Sequence, residues 1–166
     1  ARIPPTSIGW DELHLLRDRL DRYGQCLLTG PPDGKGRILG ASSELIHSLQ
    51  ERNDIDAILI EADGSRSLPF KAPGAHEPVV PKATTILVPI AGLNTLGQPL
   101  DEAHTHRSEI IASLAEQSRG TPITPTTIAR ILAHSSGGAK QLPAGAKLIP
   151  LLNKADAAAE LQHAGE

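Results

Sequence analysis

The chain has 166 residues and a mass of 17.5 kDa, enough for one domain with its own apolar core and no disulfide or metal staples. Sixteen Lys plus Arg against nineteen Asp plus Glu leave a formal charge of -3, which excludes the generally basic surface that coats nucleic acid. The single cysteine, Cys26, excludes an internal disulfide and any CxxC metal ribbon, and apolar runs of about seven residues fall far short of the roughly 18–20 that a membrane helix needs.

In chain order, the N-terminus ARIPPTS has no apolar core and so does not read as a signal peptide. With a lone thiol, this fits a cytoplasmic, reducing setting. Trp10, Leu13, Leu16, Leu20 and Tyr23 recur at three- and four-residue intervals, so 10–23 is predicted to be a helix ended by Gly24. Cys26–Thr29 reads as a short buried strand, and Gly30–Gly36 as loop. A second helix is predicted over 42–52, capped by Ser42 or Ser43, with Leu45, Ile46 and Leu49 inward. Ala57–Ile60 is the clearest strand on the page, a continuous apolar run of the type that parallel sheets bury on both faces. A long polar, proline-rich segment, Glu61–Lys82, precedes a strand at Thr85–Ile90. Helices are predicted over 106–117 and 125–134, the second with Thr124 as cap and Pro125 in its first turn. Lys147–Leu152 reads as a strand running into Asn153-Lys154-Ala155-Asp156, with a short helix, Ala157–His163, after it. This alternation predicts one domain over 1–166, a three-layer α/β fold with a mainly parallel sheet. Ligands of such folds bind at the carboxyl ends of the strands.

Chemistry concentrates after the predicted central strand, in EADGSRSLPFKAPGAHEPVVP, residues 61–81. Glu61 and Asp63 stand where nucleotide enzymes place the carboxylates that hold Mg²⁺ or its water. Gly64 permits close approach of the backbone to a phosphate. Arg66 and Lys71 add positive charge, and His76 with Glu77 offers an acid–base pair. Singly, each of these residues also suits a capped turn or a solvated surface; together they favour a site. Asn153-Lys154-Ala155-Asp156 matches NKxD, whose aspartate accepts two hydrogen bonds from the guanine edge; Asp156 also suits a helix N-cap. His104 and His106 form an HxH pair that shares a metal if both lie on a strand, although an exposed helix start is the plainer reading. His106-Arg107 is separately a phosphate or substrate contact. Gly34-Lys35-Gly36 is not a P-loop, because no Ser or Thr follows the lysine and Gly30 has the wrong spacing.

The 61–81 stretch resembles the EADGxR…KAPxxHEPVxP motif of the YqeC family of selenium-dependent hydroxylase accessory proteins. Similar segments include Gly34-Lys35-Gly36 with Gly40, Ile90–Leu93 to Gly97–Leu100, His106-Arg107, Gly137-Gly138 and Leu152–Asp156, so the resemblance runs from about residue 23 to 156. It implies a P-loop NTPase-like protein that binds GTP or ATP with Mg²⁺ and assists maturation of molybdenum hydroxylases carrying a labile selenium cofactor. On that resemblance Glu61 and Asp63 are the metal-side carboxylates, and Asn153, Lys154 and Asp156 the base-side contacts. Arg66, Lys71, His76, Glu77, His106 and Arg107 then line a second-substrate site. The family's opening strand, its GxGGKT-type P-loop and a threonine-rich strand have no counterpart here, nor do a closing strand and helix. The sequence is therefore expected to be a fragment of a longer family domain and, as it stands, not to bind NTP tightly. The competing reading is a non-hydrolysing carrier of a metal or small anion that uses His76, Glu77, His104 and His106.

Overall fold

The computed structural model describes residues 7–35 and 38–156, and the chain divides between Leu59 and Ile60 into two units. In the first, β1 (Ser7–Gly9) pairs in parallel with β2 (Leu27–Thr29), Ser7 opposite Leu27 and Gly9 opposite Thr29. The predicted helix between them comes in two pieces. Trp10–Leu15 is a 3₁₀ turn, and α1 (Leu16–Tyr23) continues it as α-helix. The tighter start has a local cause. Glu12 leaves helical geometry at φ −102°, ψ 19°, and its carboxylate reaches back to accept from the Gly9 amide at 3.1 Å. Gly24, at φ 68°, ends α1 as predicted, its amide donating to the Leu20 carbonyl at 2.8 Å.

The second helix, α2 (Ser43–Gln50), is capped by Ser42, whose hydroxyl accepts from the Leu45 amide at 3.2 Å. Ile8, Leu16 and Leu49 form the centre of this unit's core, with Leu13, Leu20, Leu28, Leu45 and Ile58 around them. The strand expected at Ala57–Ile60 is not there. No ladder among the described residues includes it, and Leu59 is 96% exposed. Only Ile58 of the four packs into a core. The Trp10 side chain, Gly36 and the helix expected at Ala157–His163 lie outside the described residues.

The second unit carries three kinds of parallel contact. β3 (Phe70–Lys71) pairs with β6 (Thr105–His106). β4 (Ile86–Leu87) pairs with β7 (Lys147–Leu148), and β5 (Ile90–Gly92) with β8 (Leu151–Asn153). The last two pairings share one register, and amides of Lys147, Ile149 and Leu151 donate to carbonyls of Thr85, Leu87 and Pro89, each at 2.9 Å. They are one ribbon, interrupted where Pro89 and Pro150 lack a donor. The Gly92 amide donates to the Pro69 carbonyl at 2.7 Å and joins this ribbon to the β3–β6 pair.

Two helices, α3 (Ser108–Ala115) and α4 (Pro125–Ala133), cover one face. Phe70, Ala91, Leu100, Ile111, Ile123, Ile128 and Ile131 are buried in the resulting core. The opposite face of the ribbon, with Ile86, Val88, Ile90, Ile149 and Leu151, stays about half exposed. Thr124 and Pro125 open α4 as predicted, the Thr124 hydroxyl accepting from the Thr127 amide at 3.2 Å. The α3 start differs from the prediction: His106 belongs to β6, and Arg107 turns the chain through a left-handed φ of 66°. The architecture is α/β with small, mainly parallel sheets; isolated antiparallel bridges join Pro32 to Ile38 and Pro99 to Pro122. No described helix is long and apolar enough to cross a membrane.

Candidate functional site

Parallel strands deliver all their carboxyl ends to the same edge. Here the register sets Lys71 opposite His106 and Gly92 opposite Asn153, with Gly92 bonded to Pro69. The loops that follow Lys71 and His106 thus leave together, as do those that follow Gly92 and Asn153, and the Gly92–Pro69 bond sets the two pairs side by side. Gly92 is closely packed: a Cβ there would sit 2.7 Å from Asn94 Oδ1, 3.0 Å from Pro69 Cβ and 3.2 Å from Lys154 Cδ, so these neighbours would have to shift.

An ion-pair chain occupies this edge. Lys71 Nζ lies 2.8 Å from Asp63 Oδ2 and 2.9 Å from Glu77 Oε2, and donates to the Gly64 carbonyl at 2.8 Å. An ammonium has three N–H donors, so Lys71 is saturated. Arg107 grips Glu77 with both guanidinium branches, at 2.7 and 2.8 Å, and donates to the Ala72 carbonyl at 3.1 Å. This fork-on-carboxylate geometry is the strong form of the interaction. The Arg107 guanidinium beside it, then Lys71, hold the Glu77 carboxyl down at about 2 despite partial burial. Gly74 makes the approach of Arg107 possible, since a Cβ there would lie 3.0 Å from the guanidinium carbon. His106 is buried on β6, and burial, followed by the positive charge of Arg107, Arg66 and Lys71, pushes its imidazole below the ordinary value. It is held as a neutral ring able to donate at one nitrogen and accept at the other.

The structure thus brings together Asp63, Gly64, Lys71, Glu77, His106 and Arg107. Arg66 belongs to the same group through its electrostatic effect on His106, and it is exposed, as are Glu61 and His76. Asn153 closes β8, and its side-chain oxygen accepts from the Lys154 amide at 2.7 Å; Lys154 turns at φ 58° and Asp156 is exposed. His104 is held elsewhere, its Nδ1 2.7 Å from Asp101 Oδ1. The structure does not gather the four residues of the carrier reading, His76, Glu77, His104 and His106, into one metal group. Glu77 is committed to two cations, and among the described residues no three His, Cys, Asp or Glu are grouped to hold an ion. Of the two carboxylates that the resemblance assigns to Mg²⁺, Glu61 is exposed and Asp63 is paired with Lys71 at 2.8 Å.

Sequence reasoning missed Lys140, whose ammonium donates to the Gly74 and Ala75 carbonyls and pins the loop that carries Glu77. The signal was the Gly137-Gly138 pair. A Cβ at Gly137 would fall 2.3 Å from the Ile131 oxygen and one at Gly138 2.4 Å from the Leu132 oxygen, so the chain doubles back tightly off α4 there. It also missed Glu102, which accepts from the Ser108 amide at 2.7 Å and its hydroxyl at 2.8 Å and so caps α3.

A family model described as YqeC protein matches residues 9–109. A protein from Escherichia coli (strain K12) described as "Uncharacterized protein YqeC" is 32% identical over 120 residues, which cover 72% of this chain and 47% of that protein. The chain spans about half the length of this curated relative. No solved structure matches.

Proposed function

This chain belongs to the YqeC family, and from that premise we propose that its protein is an NTP-binding accessory factor whose ligand sits at the carboxyl edge of the parallel ladders. The observation that supports this reading is that the ends of two parallel ladders lie side by side. The NKAD segment leaves β8 opposite Gly92, and the charged loop from Asp63 to Glu77 and Arg107 gathers at the same edge. On this reading, base-side and phosphate-side chemistry serve one ligand. In this reading the fold is P-loop NTPase-like, and GTP is preferred to ATP through Asp156, with Asn153 and Lys154 ordering the segment. Glu61 and Asp63 hold Mg²⁺, which neutralises phosphate charge when bound. The process served, as the resemblance implies, is maturation of selenium-dependent molybdenum hydroxylases.

Calorimetric titration of the full-length protein with GTP and with ATP, with and without Mg²⁺, tests the reading. Mg²⁺-dependent binding of one nucleotide supports it, and Asp156→Ala should then erase the GTP preference. Absence of binding to both nucleotides overturns it. An unchanged GTP-to-ATP ratio in Asp156→Ala removes the base assignment alone.

A further inference from the structure

The cations at the carboxyl edge are not equivalent. Lys71 spends its three donors on Asp63, Glu77 and the Gly64 carbonyl. Arg107 is clamped on Glu77 along its edge and lies flat against Gly74. Drawing Arg107 to a ligand would strand Glu77, and Lys71 stays bonded to Glu77 and the Gly64 carbonyl even where Asp63 turns to Mg²⁺. Arg66 differs. It is exposed, and no carboxylate among the described residues pairs with it.

Its backbone is equally distinctive. Arg66 and Ser67 are consecutive left-handed residues, at φ 54° and 62°, and neither is glycine. Such conformations persist where the surroundings impose them, and they gather at ligand clamps. Here the surroundings are identifiable. Lys71 holds the Gly64 carbonyl, the Leu68 amide donates to the Ser65 carbonyl at 3.1 Å, and the Val79 amide donates to the Ala62 carbonyl at 3.1 Å. The ion-pair chain thus fixes a strained loop whose tip is an unpaired guanidinium.

We propose that Arg66 is the residue that engages the ligand's oxyanion, a phosphate group or its equivalent, while Lys71 and Arg107 position the loops and do not touch the ligand. A planar guanidinium with five donors suits a tetrahedral oxyanion. The proposal rests on the carboxyl-edge site described above but not on the ligand being a nucleotide.

The test is calorimetry on the full-length protein and on Arg66→Gln and Arg66→Lys, with GTP, ATP and inorganic pyrophosphate as separate probes. Arg66→Gln should weaken binding at least about tenfold, with the melting temperature unchanged, and Arg66→Lys should recover part of the loss by restoring charge without the fork. Should Arg66→Gln fold poorly, Arg66→Lys carries the test alone through a several-fold loss. Binding by both variants within twofold of the wild type overturns the proposal and leaves the nucleotide reading standing. Arg66-dependent binding of pyrophosphate without binding of either nucleotide upholds the proposal and overturns the nucleotide reading. Wild-type protein that binds none of the three probes overturns both.

Discussion

Glu77→Gln removes the one group that holds the site's two principal cations together. Its carboxylate meets Arg107 at 2.7 and 2.8 Å and Lys71 at 2.9 Å, and the substitution leaves only Asp63 to balance both. The carboxyl is held at about 2 against an ordinary 4.5. At ~1.36 kcal/mol per pH unit this difference bounds the ionised form's advantage at about 3.4 kcal/mol. With 31% of the side chain facing solvent, screening reduces it to about 2 kcal/mol. For a unit of this size the melting temperature should fall by roughly 8–12 °C at pH 7. The sign with pH follows. A carboxyl with a depressed folded value contributes stability above pH 4.5 and loses it as pH falls toward about 2, so the gap between wild type and variant should close over that window. Trp10 and Tyr23 both precede Ile60, so fluorescence does not report on this unit, and far-UV circular dichroism is the appropriate probe. A melting temperature within 2 °C of wild type at pH 7, or an acid slope identical in the two proteins, would refute the reasoning.

Buried, neutral His106 takes up its proton more readily once unfolded, so the wild type should lose stability as pH falls below about 6.5 and His106→Gln should lose less; denaturant melts at pH 7.5 and 5.5 compare them. Gly74→Ala should cost about 1–2 kcal/mol in thermal melts by displacing Arg107, whereas Gly64→Ala, with open space around its Cβ, should stay within about 0.5 kcal/mol. Glu102→Ala should speed amide hydrogen exchange in the first turn of α3, starting at Ser108, with no change in the α4 amides. Ile111→Ala, at a fully buried position, should destabilise by about 2–5 kcal/mol in chemical denaturation.

Local chemistry was the legible part of this chain. Ser42, Thr124 and Gly24 announced helix boundaries because capping is decided within three or four residues. Short apolar runs were harder. Ala57–Ile60 and Thr85–Ile90 both read as strands in sequence, yet only the second finds a partner, since pairing depends on residues far along the chain. β3 was invisible for the opposite reason. Phe70-Lys71 sits among prolines and charges, and its extended conformation comes from the Thr105–His106 partner rather than from propensity. The charged loop was recognised by composition, but which cation meets which anion was not. That distribution is set by Gly74 admitting the guanidinium and by Lys140 holding the Gly74 carbonyl, neither of which carries a charge pattern.

The ribbon in the second unit also constrains how this protein comes into being. It joins Ile90 to Leu151, 61 positions later, and no hairpin is available to shorten the search. Contacts so distant along the chain are entropically expensive to close and give slow, late-forming structure. During synthesis, Ile86, Val88 and Ile90 emerge well before the strand that will flank them. Throughout that interval an apolar, unpaired edge is open to other chains, the exposure that makes such segments prone to misassociate before their partner strand arrives.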